Sequence, residues 1–194
     1  MGLGAAAFWW DWRWREAEQY FRRAIELQPN SSVAHLYLGH LLSNVGRGDE
    51  AVAEARRARD LDPGWRVLPA LEGQFLFFAR HYQDAVKRFD ALLNVEPAMW
   101  QAHLMRAYPL IELSRFDEAI RECETAFDLS RGTLYSLALR GYALARVGRR
   151  ADAESVLRRL EALSRERYVP PHPSRSWRTR SARFQGLCHR STLR

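Results

Sequence analysis

Apolar and polar positions follow one another along this chain in a pattern that repeats at a constant interval. Five evenly spaced alanines mark the repeat: Ala17, Ala51, Ala85, Ala119 and Ala153. Twelve residues before each alanine the residue is small, and nine residues before it the residue is always apolar. Apolar residues four and seven positions after each alanine fall on one face of a helix. The pattern therefore predicts a tandem array of helical units.

Small residues at two places of each unit indicate where its two helices meet. Antiparallel helices approach each other closely only where side chains are small, so a small residue on the first helix is expected to face one on the second. The larger apolar residues of the second helix are expected to bury against the next unit, because a single unit cannot hide its apolar face. The predicted packing residues are Gly39, Ala51, Gly73, Ala85, Ala107, Ala119, Gly141 and Ala153.

The same period sets the boundaries of the units. A proline stands twelve residues after each of the first three alanines and ends the second helix there. The sequence predicts an all-α fold, a right-handed solenoid of about five helical hairpins. The predicted units span residues 1–31, 32–65, 66–99, 100–133 and 134–166.

Local signals refine three elements of this array. In the first unit we predict helices over Leu3–Trp14 and Glu16–Leu27. Asp49 is expected to cap a helix that begins at Glu50. Pro109 is expected to kink the first helix of the fourth unit, because proline removes a backbone hydrogen bond.

The apolar composition, 47% of the residues, is that of an ordinary folded protein. We expect no membrane-spanning segment, because the run from Gly2 to Trp10 is far shorter than the roughly 20 residues that a spanning helix needs. A signal peptide is not expected, since Met1–Gly4 carries no basic side chain. Cys123 falls on a packing position, so the expected location is a reducing compartment, the cytoplasm.

The net charge of +7 comes from one end of the chain. Basic and acidic residues cancel through Glu166, whereas residues 167–194 hold seven arginines and no acid. This segment has no apolar face of helical or strand period, and we predict that it is a basic, disordered tail. Its arginines, interleaved with Trp177 and Phe184, favour nucleic-acid binding as an alternative function. A changed reading frame or a truncated array is another explanation for its abrupt loss of period.

The sequence contains no catalytic motif whose residues have a spacing that differs from chance. The glycines lie at helix crossings or helix ends and form no phosphate-binding loop. His35 and His103 are equivalent residues two periods apart, which favours a structural role for both. We predict that the protein is not an enzyme and that it uses no cofactor and no metal.

The first helices of stacked hairpins line an inner, concave wall. When the packing positions are set aside, the residues left on this wall are mainly apolar and aromatic. Such a wall suits an amphipathic helix or an extended apolar peptide, with aromatic side chains as anchors. The alternative interpretation is that several of these side chains pack along neighbouring first helices. The predicted partner-binding residues are His40, Asn44, Gln74, Phe77, Phe78, Leu104, Tyr108, Ile111, Tyr142 and Arg146.

From Leu3 to Arg165 the repeat resembles the tetratricopeptide repeat family in its period and in its small, aromatic and proline positions. The segments DEAVAEARRARDLDP and GYALARVGRRADAESVLRRLEALSRERYVPP are similar to repeat regions that follow winged-helix DNA-binding, cyclase and serine/threonine kinase domains in bacterial regulators. The resemblance implies a scaffold that binds a protein or peptide segment, as a regulatory or sensory module of a bacterial signalling or transcription-control system. Arg131 and Arg165 depart from the family pattern, which has proline there.

Tryptophans are concentrated in the predicted first helix. A solenoid that ends abruptly presents apolar surface to water, so we expect upstream sequence, a partner or self-association with a second copy to cover that helix. The tryptophans concerned are Trp9, Trp10, Trp12 and Trp14.

Overall fold

The computed structural model describes residues 13–166, and every regular element in this part of the chain is an α-helix. The prediction of an all-α solenoid is confirmed. The helices are α1 (Trp14–Leu27), α2 (Ser32–Asn44), α3 (Gly48–Leu61), α4 (Val67–Phe78), α5 (Tyr82–Val95), α6 (Trp100–Glu112), α7 (Phe116–Leu129), α8 (Leu134–Arg146) and α9 (Arg150–Glu166).

Each helix packs against the next one along the chain, so the helices form a row of antiparallel hairpins. Four complete hairpins are described, and α1 is the second helix of a unit that precedes them. The first helices α2, α4, α6 and α8 also contact one another in that order. They therefore share one wall of the array, as the sequence predicts. The first helix predicted over Leu3–Trp14, its tryptophans before residue 13 and the predicted tail at 167–194 lie outside the described residues.

Two glycines of the first helices allow aromatic rings to pack directly against the helix backbone. A methyl group added at Gly39 would lie 2.9 Å from Phe75 Cε2 and 3.3 Å from the carbonyl oxygen of Ala51. At Gly73 it would lie 2.7 Å from Phe89 Cζ. The alanines at the predicted packing positions are buried as well, from 0% exposed at Ala51 to 8% at Ala153.

A third close approach explains a departure from the repeat. Gly48 stands where Tyr82 and Phe116 begin the second helices of the next two hairpins. A methyl group at Gly48 would lie 2.8 Å from Cα and Cβ of Ala79, at the end of α4. An aromatic side chain at residue 48 would therefore displace the following hairpin.

The turn inside each hairpin uses the left-handed backbone region at one fixed position. The residue there is Gly46, Arg80, Ser114 or Gly148, with φ of 84°, 66°, 60° and 83°. In all four turns the next residue donates its N–H to a carbonyl five residues back, as in Arg47 to Leu42 at 2.9 Å. This is the hydrogen-bond pattern of a Schellman motif, which satisfies carbonyls that the helix end leaves open.

Two histidines tie the loop before a first helix to the second helix of the same hairpin. His35 Nδ1 lies 2.6 Å from Glu54 Oε2, and His35 Nε2 lies 3.0 Å from the carbonyl oxygen of Pro29. Two repeats further on, the ring of His103 makes the same pair of contacts, with Glu122 at 2.7 Å and Pro97 at 2.9 Å. The structural role expected for these histidines agrees with this geometry.

A buried carboxylate on α4 lies among three arginines. Glu72, 3% exposed, accepts hydrogen bonds from Arg59 Nη1 at 2.7 Å and from Arg56 Nε at 3.3 Å. Arg88 Nε lies 2.9 Å from Glu72 Oε2, close enough for an ion pair but without hydrogen-bond geometry. The arginines belong to α3 and α5, so Glu72 joins the second helices of two consecutive hairpins.

On α6 the charges are reversed. Arg106 Nε donates to Asp90 Oδ1 on α5 at 2.7 Å, and Arg106 Nη1 donates to Glu122 Oε1 on α7 at 2.8 Å. Arg106 and Glu122 are both largely buried, with 14% and 16% of their side chains exposed. Arg106 thus joins the next pair of second helices in the same way.

Two local predictions need correction. Trp14 begins α1 rather than ending a preceding helix, in keeping with Tyr82 and Phe116, which begin their own second helices one repeat apart. Asp49 does not cap α3: that helix begins at Gly48, so Asp49 lies in its first turn, where a negative charge suits the helix dipole. Pro109 lies within α6, as predicted, and the helix continues through it to Glu112; a kink at this residue stays a prediction. Ser31 caps α2, because its side chain accepts a hydrogen bond from the N–H of Ala34 at 3.3 Å.

Candidate partner-binding groove

The inner wall is built from side chains that recur at fixed positions of the first helices. One row, at the middle of each helix, consists of His40, Gln74, Tyr108 and Tyr142, and all four are partly exposed. A second row, one turn further along, consists of Asn44, Phe78, Glu112 and Arg146, and all four are exposed. Because α2, α4, α6 and α8 contact one another in order, the two rows run side by side along the array.

Aromatic rings form a connected cluster at the centre of this wall. Phe77 is the hub, with ring centroids 5.4 Å from Phe78, 5.9 Å from Tyr82 and 5.6 Å from Tyr108. Tyr82 belongs to α5, so the cluster joins two first helices and one second helix. Phe78 remains 54% exposed despite these contacts. Phe78 is thus an exposed ring that packs against a partly buried one, Phe77.

A positively charged contact lies on α8. The guanidinium of Arg146 lies 5.7 Å from the ring centroid of Phe116 and 5.6 Å from that of Tyr142. Arg146 Nη1 also donates a hydrogen bond to Tyr142 Oη at 2.8 Å. Two aromatic rings attract the cation through their faces, so they restrict where the guanidinium lies.

Polar residues occupy the wall on α2 and α4. The ring of His40 meets Phe75 edge to face, with centroids 5.0 Å apart. Burial lowers the pKa of His40 below its ordinary value, because desolvation disfavours the charged imidazolium. Asn44 Nδ2 donates to the carbonyl oxygen of His40 at 2.7 Å. Gln74, the next residue in the row of His40, is partly exposed on α4.

Two of the predicted partner-binding residues lie in the core instead of on the wall. Ile111 is 1% exposed and Leu104 is 8% exposed, and both belong to the apolar cluster around α6 and α8. Because both side chains are buried, they present almost no surface to a partner. For Leu104 and Ile111 the alternative interpretation, burial among packed helices, therefore applies.

The described residues contain no group of three histidine, cysteine or acidic side chains placed to hold a metal ion. Cys123 is buried on α7, and burial raises the pKa of its thiol to about 12. The thiol is therefore protonated at neutral pH, which is the less nucleophilic form. Between residues 13 and 166, no helix combines the length and apolar character that crossing a bilayer requires.

Comparison with known proteins assigns the array to a family. Two sequence models described as tetratricopeptide repeat match residues 13–72 and 71–132, which together make up more than half of the chain. The chain belongs to the tetratricopeptide repeat family. Repeats of this family stack into scaffolds for protein interaction, and the array described above has that architecture.

Two curated relatives share part of this tetratricopeptide array. Small glutamine-rich tetratricopeptide repeat-containing protein 2 of Mycosarcoma maydis is 32% identical over 82 residues, which are 42% of this chain and 23% of that protein. DnaJ homolog subfamily C member 7 homolog of Schizosaccharomyces pombe is 23% identical over 143 residues, which are 66% of this chain and 30% of that protein. The chain thus spans less than a third of the length of either relative.

Solved structures share the fold at low sequence identity. A tetratricopeptide repeat protein from Parabacteroides merdae superimposes with a TM-score of 0.74 at 16% identity, covering 83% of this chain and 62% of that one. MamA from Desulfovibrio magneticus superimposes with a TM-score of 0.70 at 18% identity, covering 80% of this chain and 88% of that one. At such identities the comparison establishes a common fold.

Proposed function

We propose that the protein is a non-catalytic tetratricopeptide scaffold that binds a segment of a partner protein along the wall of its first helices. The observation that carries this proposal is the ring cluster at the centre of the wall. Phe78 is more than half exposed, and its ring packs against Phe77, which in turn packs against Tyr82 and Tyr108. A fixed apolar side chain loses little conformational freedom when a partner covers it, which favours binding.

Substitution of one exposed phenylalanine tests this proposal. Phe78→Glu should abolish capture of partner proteins from cells that express the chain naturally, because it places a charge where the apolar contact would be desolvated. Helical content, measured by circular dichroism, should not change, since residue 78 is exposed. A photo-cross-linking residue at position 78 would identify the partners that contact this wall directly.

Val95 provides a matched control. It lies at the end of a second helix, α5, and is 77% exposed. Val95→Glu should leave capture unchanged, and a cross-linker at position 95 should not yield the same partners. Equal loss of capture in both variants, or no loss in Phe78→Glu, would contradict the proposed wall. Tyr108→Glu is a less direct test, because Tyr108 also packs against Phe77.

We further propose that the partner belongs to a bacterial signalling or transcription-control system and that binding takes place in the cytoplasm. The similarity of the repeats to regions that follow effector domains in bacterial regulators supports this. Sequencing of the proteins cross-linked at position 78 tests it. A regulator or an effector domain among them is the expected result, and recovery of proteins outside such systems would argue against it.

Nucleic-acid binding through residues 167–194 is a second candidate, which the seven arginines without any acid favour. Phosphate contacts release counterions, so this binding should weaken steeply as salt concentration rises. Removal of residues 174–194 should abolish binding to DNA and RNA in a titration at several salt concentrations. Retained binding after that deletion would exclude the segment.

A further inference from the structure

Within the described part of the chain, Arg146 differs from the other exposed residues of the wall in being a cation with no anionic partner. Among residues 13–166 its guanidinium contacts the rings of Phe116 and Tyr142 and the Tyr142 hydroxyl, and no carboxylate there forms an ion pair with it. Most arginines on the first and second helices are paired, as Arg106 is with Asp90 and Glu122. A guanidinium has five N–H donors, so Arg146 retains donors for a ligand.

The two rings give this arginine a defined position. A free arginine side chain loses rotamer freedom when it binds, and that loss reduces affinity. Here the cation–π contacts to Phe116 and Tyr142 and the hydrogen bond to Tyr142 restrict the side chain before any partner arrives. The planar guanidinium can donate two parallel hydrogen bonds to one carboxylate.

The neighbouring positions limit what else the partner can carry. Phe78, Glu112 and Arg146 occupy the same position in three successive first helices. A segment that crosses the wall therefore meets an apolar, a negative and a positive residue in turn. A carboxylate on that segment would be repelled at Glu112 and attracted at Arg146.

From this arrangement we infer that the segment bound along the wall carries an aspartate or glutamate side chain that pairs with Arg146, together with an apolar residue on Phe78. This inference rests on the proposed function and specifies the chemistry of its partner. Adjacent packed helices lie roughly 8–10 Å apart, so Phe78 and Arg146, two helices apart, are separated by roughly 20 Å. An extended segment covers that distance in about six residues. The residue opposite Glu112 is neutral or basic.

A peptide-display selection tests the inference. The library consists of random linear twelve-residue peptides, and the full-length chain is the target. The wild-type chain should enrich peptides with an apolar residue and, about six positions away, an aspartate or glutamate. Synthetic copies of these peptides, amidated at the C-terminus, should bind Arg146→Gln at least about tenfold more weakly, because a charge-assisted hydrogen bond is lost. Arg146→Glu should instead enrich lysine or arginine at the acidic position.

Arg57→Gln is the matched control, because Arg57 is an exposed arginine on the second helix α3. It should bind the same synthetic peptides within about twofold of wild type. Circular dichroism should be the same for both glutamine variants, since both residues are exposed. Thermal unfolding should change little in Arg146→Gln, which loses only the surface contacts to Phe116 and Tyr142.

The other outcomes discriminate between this inference and the function on which it rests. Enriched peptides without an acidic residue, or unchanged binding to Arg146→Gln, would overturn the inference and leave the apolar groove standing. Binding that requires a free C-terminal carboxylate would overturn the commitment to an acidic side chain. If the wild-type chain enriches no peptide, or if Phe78→Glu leaves enrichment intact, the proposed groove itself is wrong and the inference falls with it.

Discussion

Glu72 and Arg106 occupy the same position of successive hairpins, and they carry opposite charges. Each is largely buried between the second helix of its own hairpin and that of the hairpin before. The residues around them are reversed accordingly, with Arg56 and Arg88 around Glu72 and acids at the equivalent positions around Arg106. The two hairpins therefore share a backbone design but differ in the charges that join them to their neighbours.

Removal of the Glu72 carboxylate should strongly destabilise the array. Glu72→Gln keeps the shape of the side chain but removes the carboxylate that Arg56, Arg59 and Arg88 share, and in the described part of the chain only Arg59 keeps another acidic partner, Asp60. Loss of one partner from a buried ion pair costs about 3–5 kcal/mol, and the partial exposure of the arginines favours the lower end of that range. Urea unfolding followed by circular dichroism measures the change in free energy.

A charge exchange supplies the control for this prediction. The quadruple variant Glu72→Arg, Arg56→Asp, Arg59→Leu, Arg88→Glu copies the arrangement around Arg106 into the preceding hairpin, since Leu93 stands one repeat after Arg59. It should recover most of the stability that Glu72→Arg alone loses. If the quadruple variant is no more stable than the single one, the charges do not act through these contacts.

A methyl group at Gly73 should also destabilise the fold, because it would collide with the buried ring of Phe89. Overpacking of this kind costs about 1–3 kcal/mol. Gly64→Ala is the comparison, since the nearest heavy atom to the added methyl group would be Asp62 Oδ1, 3.7 Å away. Thermal unfolding of both variants measures the difference, and an equally small effect at both positions would show that Phe89 moves aside at little cost.

The hairpin turns predict a stabilising substitution. Arg80 and Ser114 hold the left-handed backbone conformation that glycine holds in the other two hairpins. A side chain there costs roughly 1–2 kcal/mol, whereas glycine loses about 0.5–1 kcal/mol more chain entropy on folding. Arg80→Gly and Ser114→Gly should therefore each raise the free energy of unfolding by up to about 1 kcal/mol in a urea titration.

The reverse substitution isolates the backbone contribution. Gly46→Ala places a methyl group with no heavy atom within 4 Å, so any loss of stability reflects the left-handed conformation alone. We expect it to lower the free energy of unfolding by about 1 kcal/mol. A neutral result would show that the turn relaxes to another conformation.

His40 should make stability depend on pH. Its pKa in the folded chain lies below the ordinary value of 6.5, so below that pH the unfolded chain binds a proton more readily than the folded chain does. The stabilising contribution is complete above pH 6.5 and decreases as the pH falls through the lower, folded pKa. His40→Phe keeps a ring beside Phe75 but cannot titrate, so its loss of stability between pH 7.5 and pH 5 should be smaller than that of wild type. Identical losses in the two proteins would contradict this assignment.

The period of small and apolar residues predicts the fold well because those residues make the same contacts in every hairpin. Ala51, Ala85 and Ala119, for example, are all fully buried. The buried charges differ between hairpins, so the period does not predict them. Glu72 and Arg106 do not show a common pattern until their contacts on the preceding and following second helices are known, since the charges of each set come from three different helices.

The wall was harder to predict than the core. Spacing alone places Leu104 and Tyr108 one helical turn apart and equally close to the inner surface. In the structure Leu104 is in the core and Tyr108 is partly exposed beside Phe77. Side-chain volume and the distance between first helices decide such cases, and neither follows from periodicity. The same applies to Arg146, whose position depends on a ring contributed by α7.

Because Glu72 and Arg106 carry opposite charges at equivalent positions, only some tandem duplications and deletions of hairpins preserve the ion pairs between neighbours. A repeated copy of residues 66–99 would set the second Glu72 next to the first Asp90, and deletion of the same stretch would set Arg106 next to Arg56. Either rearrangement places like charges next to each other at the partly buried interface between two hairpins. A junction at Leu38, the uncharged equivalent of these two residues, avoids the conflict, so duplication of residues 32–99 offers a tolerated route to a longer array.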